Sequence, residues 1–436
     1  MTRSAGAVRY AAALLGAAVL VAGCGDSKHG SKTDGVAKAA THKPTPTATP
    51  VSDAEQIQRL LADRARRIQN GDAEALADTS TGPQAKRDKH EANAARALKL
   101  EGVTLQTNST SIQGRYATAH VITRYHFLGI DDSEFSIRSA MSFSKTPDGW
   151  RVKDDHPSQG VVAPWQLANY TVRRTPHFVA LTPAGLKIDT FMKDLEAGRV
   201  TMKRGMPGVK VPKRLLVVVA RGNEDTKALT RDVNALSTLY AMAQASVQET
   251  GSAQRVMRVS AQRLLVVWRA FKRASRAQRR MTIAHEMTHA ALVKQTSGRM
   301  PVWLVEGTAM YVSNDRRYGD AGALLSGGVL RDSSQQAASK RVLSLTALGK
   351  PDSMQKLGAT PLGFAYSYAS AAAFAIAQKH GRKGLLRLYA AFDKQKFKGV
   401  AGRKLMDRVM RATLHQSLAS VQQDVDAFAR AHAEFR

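Results

Sequence analysis

A single cysteine in 436 residues, Cys24, excludes any disulfide within the chain. Aromatic residues are scarce at 6%, and no basic run is interleaved with them, so a dedicated nucleic-acid surface is not expected. Acidic residues are also few, 35 Asp and Glu against 65 Lys and Arg, which leaves a formal net charge of +30. Such a balance draws polyanions, among them anionic lipid heads and acidic surface polymers. Beyond the first 22 residues no apolar run approaches the ~20 residues of a membrane-spanning helix. What the chain does have is 43% hydrophobic residues, enough for ordinary packed cores, and a length that accommodates two or three domains.

Arg3 and Arg9 precede the short apolar stretch Tyr10 to Ala22, which ends in Val21-Ala22-Gly23-Cys24 and continues into Gly25-Asp26-Ser27-Lys28. A basic start, a short apolar middle and small residues before the exit form the pattern of an export signal. The last four residues resemble a bacterial lipobox. That resemblance implies that residues 1–24 are a lipoprotein signal and that Cys24 is diacylated. Several buried acyl CH₂ groups, each worth ~0.8 kcal/mol, would then hold the protein on the extracytoplasmic face of the cell membrane. Residues 25–51 are rich in Gly, Ser, Thr, Lys, Ala and Pro and read as a disordered tether.

Residues 52–156 read as an α+β unit. Ser52-Asp53-Ala54-Glu55 can cap a helix, and Ile57, Leu60, Leu61, Ala65 and Ile68 follow at helical spacing up to Gly71. Short helices are expected around Leu76 and from Glu91 to Leu100. The period then changes to two over Tyr116 to Phe127 and Phe135 to Phe143. Lys145-Thr146-Pro147-Asp148-Gly149 reads as a hairpin turn before the strand Trp150-Arg151-Val152. Helices followed by a meander ending in Asp-Gly-Trp-Arg-Val resemble the cone-shaped fold of the nuclear-transport-factor-2-like superfamily. His120 and His126 lie on these strands, and structural roles are expected for both.

Residues 165–436 read as a small mixed sheet followed by a helical half. Thr171 to Ala180, Arg214 to Ala220, Arg255 to Val259 and Leu264 to Trp268 are the expected strands. Ile188 to Gly198 is an expected helix stopped by its glycine, and Thr226 to Val247 a second, longer helix. From Ser275 onward the pattern is mostly helical, with Ser275 and Gln278 as candidate caps. Within it stands Met281-Thr282-Ile283-Ala284-His285-Glu286-Met287-Thr288-His289. Two histidines four apart share one helix face, so both can reach one zinc ion at ~2.0–2.1 Å while Glu286 beside them addresses a water. Glu306 follows 17 residues after His289, within Val302-Trp303-Leu304-Val305-Glu306-Gly307-Thr308-Ala309. Pro301 suits the start of a second helix running back alongside the first. A carboxylate in so apolar a setting needs a partner, and a His₂Glu set with one open position is the catalytic pattern of zinc.

His-Glu-Met-Thr-His with Trp-Leu-Val-Glu-Gly-Thr-Ala resembles the gluzincin peptidases, in particular the peptidase MA-like proteins related to thermolysin and the zinc aminopeptidases. The resemblance implies Zn²⁺ on His285, His289 and Glu306, Glu286 as general base, and a peptide or protein substrate. It also implies a tyrosine that stabilises the oxyanion from the start of a later helix. Tyr368 is the candidate and Tyr366 the reserve. No Gly-x-Met-Glu-Asn-like exopeptidase signature precedes the histidine motif, which leaves endopeptidase action open. The competing expectation is a catalytically inactive zincin-fold lipoprotein that serves as a binding or scaffold module.

Overall fold

Ser52 caps the first helix as its sequence predicts, accepting the Glu55 N–H at 3.2 Å, and Gly71 ends it in the left-handed region at φ 67°. The computed structural model describes residues 51–434, apart from 132–133, 158–161, 168, 231–240, 251–255, 297–298, 331 and 393–401. Cys24 and the tether therefore lie outside the described residues. None of the described helices is long and apolar enough to cross a membrane.

Three helices open the fold: α1 (Asp53–Asn70), α2 (Ala73–Ala77) and α3 (Gly82–Leu98). They pack on an antiparallel meander of β1 (Leu100–Gln113), β2 (Tyr116–Phe127), β3 (Phe135–Thr146) and β4 (Gly149–Pro157). Along β2 the residues Ala117, Ala119, Val121, Thr123, Tyr125 and Phe127 are buried and their neighbours are not, the period-two pattern of a sheet with one covered face. Arg64 of α1 and Asp88 of α3 form a buried bidentate pair at 2.7 and 3.0 Å. His120 is exposed, and His126 stands 3.0 Å from Glu101.

A second sheet has the order β5 (Tyr170–Arg174), β6 (Phe178–Pro183), β7 (Leu215–Ala220), β9 (Val256–Val267), β8 (Ala241–Thr250). The β6, β7 and β9 pairings are parallel, whereas β5 and β8 run antiparallel at the two edges. The expected strand from Thr171 to Ala180 is thus a hairpin of two, and the two strands expected between Arg255 and Trp268 are one. The long helix expected from Thr226 to Val247 is not formed. Helix α5 (Asn223–Leu229) ends early, and Ala241 onward is the edge strand β8. Ala-Met-Ala-Gln-Ala has good helix propensity, but pairing with β9 overrides it.

Both faces of this sheet are covered. Phe178, Ala180, Val217, Val219, Leu264 and Val266 point into the helical half. Val179, Leu181, Leu216, Val218, Leu265 and Val267 point the other way, into one core with Trp165 and with Leu61, Val121 and Phe143 of the first half. Continuous apolar runs such as Leu215 to Val219 are the signature of a strand buried on both sides. Arg263 of β9 crosses the same boundary. It is 2% exposed, donates to Tyr125 Oη at 2.8 Å and lies 3.8 Å above the Phe135 ring.

The helical half contains α4 (Asp189–Gly205), inserted between β6 and β7, then α6 (Trp268–Phe271), α7 (Arg276–Leu292), α8 (Val302–Ser313), α9 (Gly319–Leu325) and α10 (Ser333–Arg341). It closes with α11 (Ala359–Ala391), α12 (Gly402–Leu414) and α13 (Leu418–Ala431). Gly381, at φ 69°, breaks α11 where His380-Gly381 predicts a helix end. Gly198 does not stop α4. A Cβ there would lie 2.5 Å from Ile283 Cγ2, so its missing side chain lets α4 press against α7.

Candidate metal centre

Helix α7 starts on a reciprocal cap. Ser275 Oγ accepts the Gln278 N–H at 3.2 Å, and Gln278 Oε1 accepts the Ser275 N–H at 2.9 Å. Its first turns carry Arg276, Arg279 and Arg280, which oppose the positive end of the helix dipole. Asp194 of α4, fully buried, offsets them by pairing with all three at 3.3, 2.9 and 3.0 Å. The helix buries Ile283, Ala284, Met287 and Ala290, which fixes its rotation and turns His285 and His289 toward α8.

Pro301 precedes α8 as its N-cap rather than occupying the first turn. The helix is buried nearly all round because α7 and α11 flank it. Gly307 makes the approach to α11 possible, since a Cβ would stand 2.2 Å from the Ala369 carbonyl oxygen. Glu306, one residue earlier, is thereby brought to the two histidines.

His285, His289 and Glu306 each present one ligand atom to a common point. The His285 and His289 Nε2 atoms are 3.1 Å apart and lie 3.3 and 3.5 Å from Glu306 Oε2. Three donors of one tetrahedral zinc at ~2.0–2.1 Å stand ~3.3 Å from one another, so the triad has the spacing of a ligand set. Glu306 is 1% exposed, yet neither of its oxygens has a hydrogen-bond partner. A buried carboxylate without donors is costly unless a cation joins it. Burial works to raise its pKa, but the two imidazoles outweigh that and hold it down at about 2. Burial lowers the pKa of His285, which favours the neutral ligand form. For His289 burial acts the same way, but Glu306 outweighs it and the pKa is raised. The His289 side chain is 14% exposed against 4% for His285, so the triad is approached from the His289 side.

Glu286, also buried, does not join the triad. Its Oε2 accepts the backbone N–H of Ala243 at 2.7 Å. Burial, reinforced by Glu306, pushes its pKa up to about 8. Ala243 is invisible as a functional residue in the sequence, because only its backbone takes part.

The structure does not bring Tyr368 to the triad. Its hydroxyl donates to Asp426 of α13 at 2.6 Å and accepts from Gln422. Tyr366 lies under the Arg317 guanidinium. The tyrosine that feels Glu306 is Tyr389, buried and hydrogen-bonded to Thr296 at 2.6 Å, with its pKa raised by burial and then by that carboxylate. For the peptide cleavage proposed below, Tyr368→Phe is accordingly expected to leave turnover within about twofold of the parent. Its expected effect is a loss of ~0.5–1.5 kcal/mol of stability, because half-buried Asp426 loses one of its two donors and keeps Gln422, measured by denaturant unfolding. A hundredfold drop in turnover with unchanged stability would return Tyr368 to the reaction.

No family model matches the chain, and neither does any curated protein. Among solved structures, the chain is similar to an NTF2-like protein with a cystatin-like fold from Novosphingobium aromaticivorans. The two are 25% identical, over 24% of this chain and 79% of that one, with a TM-score of 0.21.

Proposed function

We propose that this chain is a zinc-dependent peptidase of the gluzincin type, held outside the cell on the membrane by a lipid at Cys24. The observation that carries the reading is the convergence of His285, His289 and Glu306, with both Glu306 oxygens lacking donors and the Glu286 carboxyl beside them. Two imidazoles and one carboxylate suit zinc. When bound, that cation supplies a Lewis acid that polarises a carbonyl and acidifies water.

The chain's own groups account for the rest. Ala243 directs its N–H at Glu286 and therefore away from β9, so it lies on the free edge of β8. An extended peptide added along that edge passes the carboxyl group. Held at Oε2, Glu286 takes a proton from the attacking water, whose oxygen bonds to the peptide carbon. It then returns the proton to the amide nitrogen as the C–N bond breaks.

The test is cleavage of a mixed peptide library by the purified full chain, with chelation and zinc restoration as controls. Cleavage that stops on chelation and returns with zinc supports the reading. A zinc-loaded protein that cuts no peptide leaves it without support and favours a scaffold. For the anchor, Cys24→Ala is expected to block processing or shift the protein from the membrane to the soluble fraction.

One zinc per chain is expected in the parent, and less than about a tenth of that in His285→Ala, by elemental analysis. Occupancy should fall as pH falls, because ligands bind deprotonated. The imidazoles set that window, since the Glu306 carboxyl stays ionised down to about 2. Normal zinc in His285→Ala would remove the triad from consideration.

A further inference from the structure

A recess of about 470 Å³ lies apart from the triad, where the turn after β2 meets α4, the β5–β6 turn and the segment before β7. Gly129, Pro176, His177, Arg199, Lys213 and Arg214 line it. Three of these six are permanent cations. One carboxylate beside them, Glu196, is already engaged: it accepts from His177 Nδ1 at 2.8 Å and from the His177 backbone N–H at 3.3 Å.

Arg199 is the unusual member. It is only 7% exposed, and among the described residues its guanidinium hydrogen-bonds the Pro212 carbonyl at 3.0 Å and no carboxylate. Burial pulls its pKa down, with Glu196 offsetting part of the effect. An arginine whose chain is this far withdrawn from the surface, with its guanidinium facing a recess, is normally paired with an anion. Arg214 donates through Nε to the Pro176 carbonyl at 3.3 Å, which orients its fork at the rim, and Lys213 beside it is exposed.

We propose that this recess binds a phosphate group, held by Arg199, Lys213 and Arg214. A lone carboxylate is satisfied by one guanidinium fork. Two forks and an ammonium match the larger charge and the three free oxygens of a phosphate monoester or inorganic phosphate. The same monoester chemistry is offered by the headgroup of phosphatidic acid, and the exposed rim is open to either source.

Calorimetric titration of the full chain with inorganic phosphate, with acetate as control, tests the site. Sedimentation with phosphatidic acid and phosphatidylcholine vesicles separates the two sources. Lys213→Ala and Arg214→Ala replace exposed side chains, and unchanged unfolding midpoints check that both variants fold. Each is expected to weaken phosphate binding about tenfold or more, as loss of one charge-assisted hydrogen bond does. Parent-specific capture of phosphatidic acid vesicles, lost in both variants, assigns the site to a headgroup. The proposal is overturned if neither phosphate nor the anionic vesicles bind. It is also overturned if both variants bind like the parent, or if acetate binds as well as phosphate.

Discussion

Glu286→Gln is expected to keep its zinc and lose peptide turnover by ~10²–10⁴-fold, the usual worth of a general base. The carboxyl is not among the converging ligand atoms, so metal content should match the parent. The amide keeps the size of the side chain, and its carbonyl oxygen can still accept the Ala243 N–H now received at 2.7 Å. What it cannot do is accept a proton from water. Elemental analysis, unfolding midpoint and library cleavage must be read together on one preparation. If turnover survives, Glu286 is not the base. If zinc is lost together with turnover, the residue supports the triad rather than the reaction.

Expression of residues 162–436 alone is expected to give no soluble, zinc-binding protein. The first half contributes one side of a core that the second sheet lines with Val179, Leu181, Leu216, Val218, Ala220, Met242, Leu265 and Val267. Exposing eight buried apolar side chains removes roughly 10 kcal/mol or more. That is comparable with the whole ~5–15 kcal/mol that keeps a domain folded. Arg263 would also lose Tyr125 and Asp131, which are 2.8 and 3.5 Å from its guanidinium. A detachable prosegment behaves oppositely, since its removal leaves a folded and active enzyme. Soluble expression with one zinc per chain would overturn the shared-core account. So would full activity after proteolytic cutting and separation of the two parts.

The residues of the candidate metal site are legible in the sequence because their relation is mostly local. His285 and His289 are neighbours by helix period alone, and Glu306 is reached through one short turn between helices. Its apolar neighbours Trp303, Leu304 and Val305 already marked the carboxylate as one in need of a partner. Tyr368 could not be judged in the same way. Its hydroxyl is claimed by Asp426, 58 residues later and on another helix, and no periodicity reports that distance. Strand β8 was misread for a related reason. An alanine-rich segment favours helix in isolation, and only β9 makes it a strand. Gly198 carried a true signal with the wrong meaning, since glycine serves close packing as readily as helix termination.

The hydrogen bond from Ala243 to Glu286 ties the carboxyl proposed as general base to the main chain of the strand proposed to receive the substrate. Nineteen of the twenty amino acids present the same N–H at that position, and proline alone does not. A survey that swaps side chains one at a time would therefore read position 243 as a packing site alone and overlook its N–H. The chemistry is insulated from sequence drift there, because what holds the carboxyl is the peptide unit itself. Strand and base should accordingly shift as one body, which keeps the carboxyl in step with whatever the edge takes up.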